Sequence, residues 1–290
     1  MPPGVPAAIL LAMNSRRLHV TEKHAGLPLQ DFLATQLSLS RNRAKALLDN
    51  RLVFVNGRRV WMTQHTLRKG DALEVITAAT PSQSKPAPIV LLYQDEHYAV
   101  ANKPAGRLSN GADSVEADCR TQLALPGIRA VHRLDRDTTG CLLLAKSGEA
   151  FDRAVTLFKA HDFTKVYHTL VYGEVKERDR TIETPIDGEP AVTILHRISA
   201  SETASHLKVK IETGRTHQIR RHMAYLGHPV LGDRTYAGRT IIPEPLRAIE
   251  RQMLHAASLT FECPYTKKVI RAEAPLPKDF KKWMKRLGLR

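Results

Sequence analysis

The 290-residue sequence has few cysteines and no long apolar run. Its three cysteines, Cys119, Cys141 and Cys263, are scattered and form no CxxC pair. This excludes a disulfide framework and a cysteine-based zinc site, and it favours a reducing compartment. No stretch approaches the roughly 20 apolar residues that cross a bilayer, so an integral membrane protein is also excluded. We therefore expect a cytoplasmic protein.

Acidic residues are scarce relative to basic ones. The chain has 29 Asp and Glu against 44 Lys and Arg, a formal net charge of +15. Such an excess favours a polyanionic partner, either nucleic acid or an anionic membrane surface. The sequence also lacks the GxGxxG and GxxxxGK[ST] motifs. A dinucleotide site or a P-loop therefore has no support.

The first residues are apolar but do not have the pattern of a secretory signal. No basic segment precedes residues 1–13, and Arg16 and Arg17 come only afterwards. That order is the reverse of the one a signal peptide requires. We expect a disordered extension over residues 1–14, and a translation start at Met13 is the alternative.

Residues 15–76 have the pattern of a small α/β domain. Apolar residues at helical spacing predict two short helices, the second capped by Ser40. A strand over 52–55 ends at Asn56-Gly57, the strongest short hairpin signal, and a last strand is expected around 73–76.

The second helix and the hairpin of this small domain are basic, with Asp49 the only acid among their charges. Side chains off the apolar face and at a hairpin tip can reach a phosphate backbone together, although a solvated helix face is the alternative. The helix-helix-hairpin order, with LSRNRAKALLDNRLVFVNGRRV, resembles the S4 RNA-binding domain. The predicted RNA-binding residues are Arg41, Arg43, Lys45, Arg51, Arg58 and Arg59.

A change of composition separates this small domain from a larger one. Residues 77–88 are mostly Pro, Ser, Thr and Ala, which predicts an extended linker. Over residues 89–290 strands and helices interleave without a strict βαβ rhythm. The pattern favours an α+β fold over a doubly wound sheet.

The segment HRLDRDTTG, residues 132–140, is the first candidate for chemistry. Asp135 and Asp137 lie beside Arg133 and Arg136, immediately before an apolar strand. Neighbouring arginines favour the ionised carboxylate, which can serve as a nucleophile or a general base. A polar turn held together by Arg–Asp pairs is the alternative interpretation.

The second candidate is the segment GRTHQIRRH, residues 214–222. Its start resembles a helix N-terminus that directs polar groups at an anion or a carboxylate. We expect Arg215 to hold Asp135 in a bidentate pair. His217, His222 and His228 are five and six residues apart and share no helix face, so we expect no metal site.

Four stretches in order resemble the RluA-type family of RNA pseudouridine synthases. They are ANKPAG at 101–106, HRLDRDTTG with CLLLAK at 132–146, KVY with LVYG at 165–173, and GRTHQIRRHMAYLGHPVLGD at 214–233. The resemblance implies a catalytic domain with a large mixed, mainly antiparallel sheet. It also implies an isomerase that converts uridine to pseudouridine in RNA by base flipping, without a cofactor.

The resemblance assigns roles to particular residues. Asp135 is the catalytic aspartate, and whether it attacks the sugar, attacks the base or abstracts a proton is left open. Tyr167 packs against the target base and acts as a base, and Arg215 pairs with the aspartate. The residues expected to bind the substrate are Arg133, which fills the space of the flipped base, Ile219, an apolar wall, and His132, Thr216 and His217.

The RNA target is less well defined by the sequence. The S4-like domain favours ribosomal RNA, and transfer RNA is the alternative. A non-catalytic RNA-binding or ribosome-assembly protein on the same fold is a further alternative, against which the presence of Asp135, Tyr167 and Arg215 argues. A third alternative, a DNA-binding regulator, is supported only by the positive charge of the chain. We expect a monomer that does not bind membranes. The first motif departs from the family pattern at residues 107–110, RLSN.

Overall fold

The computed structural model describes residues 13–39, 41–49, 52–78, 88–160, 162–238, 240 and 242–289. The chain divides into two compact units, with the described residues up to 78 in the first and those from 88 in the second. Over these described ranges, no helix combines the length and the apolar character needed to cross a membrane.

The first unit joins two short helices to a small antiparallel sheet. Its elements are β1 (Met13–His19), α1 (Leu29–Gln36), α2 (Arg41–Asp49), β2 (Val53–Val55), β3 (Arg58–Arg59) and β4 (Ala72–Ala78). The strand order is β1-β4-β2-β3. One core, which includes the fully buried Phe32, Leu48 and Val53, is shared by helices and strands. Asn56 and Gly57 have φ of +50° and +75°, as a type I′ hairpin turn requires.

The predicted ends of this unit were wrong by two residues on each side. Met13 and Asn14 belong to β1 instead of an extension, because they pair with Ala78 and Thr77 of β4, two residues expected in the linker. No alternating apolar pattern predicted β1, because charged residues interrupt it at Arg16 and Arg17. The rest of both segments, 1–12 and 79–87, lies outside the described residues, as do Ser40 and Arg51.

The second unit is built on one large sheet. In the described residues its strands are β5 (Leu91–Gln94), β6 (Tyr98–Lys103), β7 (Arg129–Ala130), β8 (Thr139–Ala145), β9 (Thr164–Tyr172), β10 (Asp179–Ile182), β11 (Thr193–Ala200), β12 (Ala204–Ile211), β13 (Leu254–Glu262) and β14 (Val269–Glu273). Its helices are α3 (Val115–Leu123), α4 (Gly148–Lys159), α5 (Gln218–Tyr225) and α6 (Lys278–Arg286). The main strand order is β10-β11-β12-β9-β13-β8-β6-β5, with β14 on β13 and β7 on β8.

The sheet is mixed because β8 and β13 pair in parallel, whereas the other described pairs are antiparallel. The predicted α+β class with a large, mainly antiparallel sheet is therefore confirmed. The parallel pair brings the chain that enters β8, which carries HRLD, beside the chain that enters β13. Both segments lie at the same end of the sheet.

Gly140 allows this parallel pairing. It has φ of +109°, and a Cβ at this position would lie 2.1 Å from the carbonyl oxygen of Ala256, its partner on β13. Ala256 in turn pairs with Tyr167 of β9. Gly140 thus allows β8 to lie close to β13, whose other neighbour is β9. These three strands contribute to the site described below.

We expect Gly140→Ala to lower the free energy of unfolding by about 3 kcal/mol or more, because backbone strain and overlap with a neighbouring strand add. Gly148→Ala is the control, since Gly148 has no positive φ and nothing within 4 Å of an added Cβ. Denaturant unfolding of both variants makes the measurement. Equal stabilities would contradict this account of the β8–β13 contact.

Candidate active site

A cavity of about 560 Å³ opens in the second unit at the end of the sheet where β8 and β13 begin. Seven of the eight residues predicted for the site line it, and Thr216, which the structure also describes, does not. The predicted residues in its wall are His132, Arg133, Asp135, Tyr167, Arg215, His217 and Ile219. Seven residues from separate segments of the sequence thus surround one cavity.

Asp135 lies in the loop between β7 and β8, with its side chain 21% exposed. One carboxylate oxygen, Oδ2, accepts a hydrogen bond from Nη1 of Arg220 at 2.9 Å. The other, Oδ1, is 3.5 Å from Nε2 of His217. Nε2 of Gln252 lies 3.5 Å from Oδ2. The carboxylate is therefore oriented from three sides while part of it still faces the cavity.

Arg220 is a buried cation shared by two carboxylates. Its Nε and Nη2 donate to the two oxygens of Asp233 at 2.6 and 2.9 Å. The Arg220 side chain is 8% exposed and that of Asp233 is fully buried. Burial raises the pKa of Asp233, but hydrogen bonds from Arg220 and from the Thr235 amide outweigh it and hold that pKa below its usual value. The ion pair fixes the plane of the guanidinium that reaches Asp135.

The prediction that Arg215 holds Asp135 was wrong. The guanidinium that contacts the aspartate is that of Arg220. Nε of Arg215 donates to the carbonyl of Pro190 at 3.0 Å, and its guanidinium lies 3.5 Å from the carboxylate of Glu189. Arg215 precedes α5 and its side chain follows the loop outward, whereas Arg220 lies in the first turn of the helix. Arg215 still lines the cavity.

The backbone of the loop that carries Asp135 is held by buried polar side chains. Nζ of Lys103, which is fully buried, donates to the carbonyl of Arg136 at 2.7 Å and to that of Pro104 at 3.0 Å. Burial lowers the pKa of Lys103 to about 8, against the opposing effect of nearby carboxylates. The Ser109 hydroxyl accepts from the amide of Leu134 at 2.8 Å and donates to its carbonyl at 3.0 Å. The loop therefore has little freedom on this side.

The other side of the loop rests on the segment that enters β13. Nε2 of Gln252 donates to Oγ1 of Thr138 at 2.6 Å. Nη1 of the buried Arg251 donates to the carbonyl of Asp137 at 3.3 Å. The same guanidinium forms a bidentate pair with Asp279 of α6, at 2.6 and 2.9 Å. The segment before β13 thus supports two consecutive loop residues, and Arg251 links them to α6.

Tyr167 and Ile219 form apolar walls of the cavity and are both buried. Burial, together with the charge of Asp135, raises the pKa of the Tyr167 phenol. The phenol is therefore protonated at neutral pH and can donate a hydrogen bond, which argues against the role as a base that the resemblance implied. Its flat ring can also stack against a planar ligand.

His132 and Arg133 line the cavity in different ways. Nε2 of His132 accepts a hydrogen bond from the amide of Leu143 at 3.1 Å, and its ring lies against Phe158. Burial lowers the pKa of His132 to about 4, so this ring is neutral and takes part in the packing. Arg133 is exposed and lies at the rim.

The sequence reasoning missed the residues that orient Asp135 most directly. Arg220 follows His217 by three positions, so a helix that begins at this point places both on one face, and that signal was present. Asp233, Gln252 and Arg251 gave no local signal, because only the parallel pairing of β8 with β13 and the turn after α5 bring them near.

We expect Arg220→Ala to lower the free energy of unfolding by about 3–5 kcal/mol, because it leaves the buried Asp233 without its counter-ion. Arg215→Ala, which removes an exposed ion pair, should cost less than about 1 kcal/mol. Denaturant titration compares the two variants. A larger loss for Arg215→Ala would contradict the assignment of Arg220 as the buried partner.

The chain is similar to known proteins over most of its length. A family profile described as RNA pseudouridylate synthase matches residues 97–225. Ribosomal large subunit pseudouridine synthase D of Pasteurella multocida is 31% identical over 275 residues, which are 83% of this chain and 85% of the relative. An uncharacterized RNA pseudouridine synthase of Bacillus subtilis is 33% identical over 261 residues, 80% of this chain and 89% of the relative.

A solved structure agrees with the fold. Human RNA pseudouridylate synthase domain containing 4 superimposes with a TM-score of 0.60 at 21% identity, and the match covers 69% of this chain and 93% of that one. The sequence-based family prediction is confirmed by the relatives, whose matches extend well beyond the cavity. The chain therefore belongs to the family of RNA pseudouridine synthases and is an isomerase that acts on RNA.

Proposed function

We propose that this enzyme forms pseudouridine in ribosomal RNA and that Asp135 is its catalytic carboxylate. The observation that carries the proposal is the position of Asp135, which faces the cavity while Arg220, His217 and Gln252 orient it from behind. The Pasteurella multocida relative is named for the large ribosomal subunit, which supports a ribosomal target.

The reaction itself is an isomerisation of one nucleotide. The bond between N1 of uracil and C1′ of the ribose breaks, the base turns, and a bond from C5 to C1′ replaces it. C5 loses a proton and N1 gains one, so atoms and electrons balance without a redox partner. A carboxylate that reaches the nucleotide can act as the nucleophile or as the base that takes this proton.

The cavity walls suit a base that has left its helix. Enzymes that act on a base inside a duplex extrude it, at a cost of a few kcal/mol. Tyr167 offers a ring for stacking and Ile219 an apolar surface, and both line the cavity that Asp135 faces. Arg133 is exposed and lines the cavity, and we expect it to occupy the gap that the extruded base leaves.

The first unit supplies further RNA contacts in this proposal. We assign the small domain, predicted as residues 15–76 and extended by the paired ends of β1 and β4 to 13–78, to an S4-like RNA-binding domain. The remainder of the predicted 77–88 segment is assigned to a linker and residues 89–290 to the catalytic domain. The predicted RNA-binding residues that the structure describes, Arg41, Arg43, Lys45, Arg58 and Arg59, are all exposed. Arg41 also forms an ion pair with Asp31 at 2.8 Å, so Arg58 and Arg59, on the hairpin, are the better tests.

Pseudouridine mapping of total RNA from cells with and without this gene tests the target and the aspartate together. We expect one or a few ribosomal sites to disappear on deletion and to return with wild type but not with Asp135→Asn, because the amide cannot act as a nucleophile or base. Asp152→Asn, which changes an exposed carboxylate on α4, is the charge-matched control and should restore the sites.

Other outcomes of this mapping favour the alternatives. Sites lost from transfer RNA alone would replace the ribosomal target. Full restoration by Asp135→Asn would remove this residue from catalysis and would support a non-catalytic role in ribosome assembly.

The hairpin is tested by binding. We expect Arg58→Gln combined with Arg59→Gln to weaken binding to an unmodified transcript of large-subunit ribosomal RNA. The slope of log K against log salt should become shallower by roughly 1.4–1.8, since each lost phosphate contact contributes about 0.7–0.9. Lys267→Gln combined with Lys268→Gln, at an exposed turn of the second unit, is the control. An unchanged slope in the hairpin variant would exclude it from the RNA interface.

A further inference from the structure

Helix α6 has two faces of opposite character. Phe280 is fully buried and Trp283 nearly so, and both belong to one apolar core with Leu289. The residues on the remaining surface of the helix are basic and exposed: Lys278, Lys281, Lys282, Lys285 and Arg286. The helix therefore presents a dense positive face to solvent.

Three lysines on this face lie close together and have no carboxylate partner among the described residues. At about 100° per residue, Lys278, Lys282 and Lys285 lie within roughly 60° of one another around the helix axis. Among the residues that the structure describes, none of these three lysines forms an ion pair with a carboxylate. The only acid in α6, Asp279, turns away from this face toward Arg251.

The first turn of α6 is fixed to the loop that carries Asp135. Both oxygens of Asp279 accept hydrogen bonds from the buried Arg251, at 2.6 and 2.9 Å. The same guanidinium donates to the carbonyl of Asp137, two residues after the aspartate, at 3.3 Å. One arginine side chain thus separates the basic helix from the catalytic loop, and the packing of Phe280 and Trp283 fixes its orientation.

We propose that the basic face of α6 binds the phosphate backbone of the substrate RNA outside the catalytic cavity. The inference rests on the proposed function of the site around Asp135. The core under α6 includes Leu170, which lies on the opposite face of β9 from the cavity residue Tyr167, so the helix would meet RNA that flanks the bound nucleotide. The helix is about 12 Å long from Lys278 to Arg286, which is longer than the axial spacing between successive phosphates of a nucleic-acid strand. Several cations can therefore meet the same strand.

The alternative of an anionic membrane fits the helix less well. Helices that lie on membranes insert a free apolar face between the lipids. In α6 that face is already occupied, since Phe280 and Trp283 are buried in the protein core. RNA phosphates need only the charged face, and their contacts offset part of the cost of extruding the base.

The test compares two pairs of lysine substitutions that remove equal charge. Lys282→Gln combined with Lys285→Gln neutralises the centre of the α6 face. Lys267→Gln combined with Lys268→Gln neutralises the turn that follows β13. Leu254, at the start of β13, lines the cavity, and the end of this strand is roughly 26 Å from its start. Both variants are made in the full chain. The probe is an unmodified transcript of large-subunit ribosomal RNA, measured over a range of salt concentrations.

We expect the α6 variant to bind this transcript about tenfold or more weakly at 0.1 M salt, with the slope of log K against log salt shallower by roughly 1.4–1.8. KM should rise by a similar factor while kcat at saturating RNA is unchanged. The turn variant should behave as wild type, and Lys282→Arg combined with Lys285→Arg should restore both affinity and slope. Unfolding curves matching wild type verify that α6 is intact.

An α6 variant with the RNA affinity and salt slope of wild type would overturn the proposal. An equal loss of affinity in the turn variant would overturn it as well, because the effect would then come from the lower net charge of the protein. A different result would contradict the proposal that ribosomal RNA is the target. If wild type binds the transcript but forms no pseudouridine in it, ribosomal RNA is the wrong target, while the two slopes still decide the role of α6.

Discussion

The arrangement of the site depends on one buried cation between two carboxylates. Arg220 neutralises Asp233 inside the protein, and the remaining donor of the same guanidinium holds Asp135 at the cavity. A planar fork suits this task because its donors are fixed relative to one another, whereas a lysine would offer a single freely rotating charge. Asp135 is thus held in position by α5, which carries Arg220, and by the turn after α5, which carries Asp233, as well as by its own loop.

The sheet supplies the second constraint, through the close pairing of β8 with β13. Because two parallel strands begin at the same end, the segment before each one contributes residues to the same place. Gly140 permits the approach, and the antiparallel neighbour β9 contributes Tyr167 at the matching register. The carboxylate and the aromatic wall are therefore neighbours as a consequence of strand order, although they are far apart in the sequence.

The α+β class could be predicted from the order of apolar patterns along the sequence. The large mixed sheet and most of the residues that line the cavity followed from the resemblance of the HRLD and GRTH segments to a known family. The partner of Asp135 could not be predicted. Arg215 and Arg220 both follow Gly214 closely, and only the start of α5 decides which one points inward. Asp233 and Gln252 were not predictable from any local pattern, since their roles arise from tertiary contacts. Strand β1 was missed for a related reason, because its pairing with β4 overrides a polar sequence.

The contact between Arg251 and Asp279 has a consequence for how the enzyme is made. During synthesis the strands and the aspartate loop leave the ribosome before α6 does. Until Asp279 arrives, Arg251 lacks its carboxylate, and the contact of Arg251 with the Asp137 carbonyl is not yet held in place by α6. The support of the aspartate loop on the β13 side is therefore completed last, when a helix made at the end of synthesis docks on the sheet.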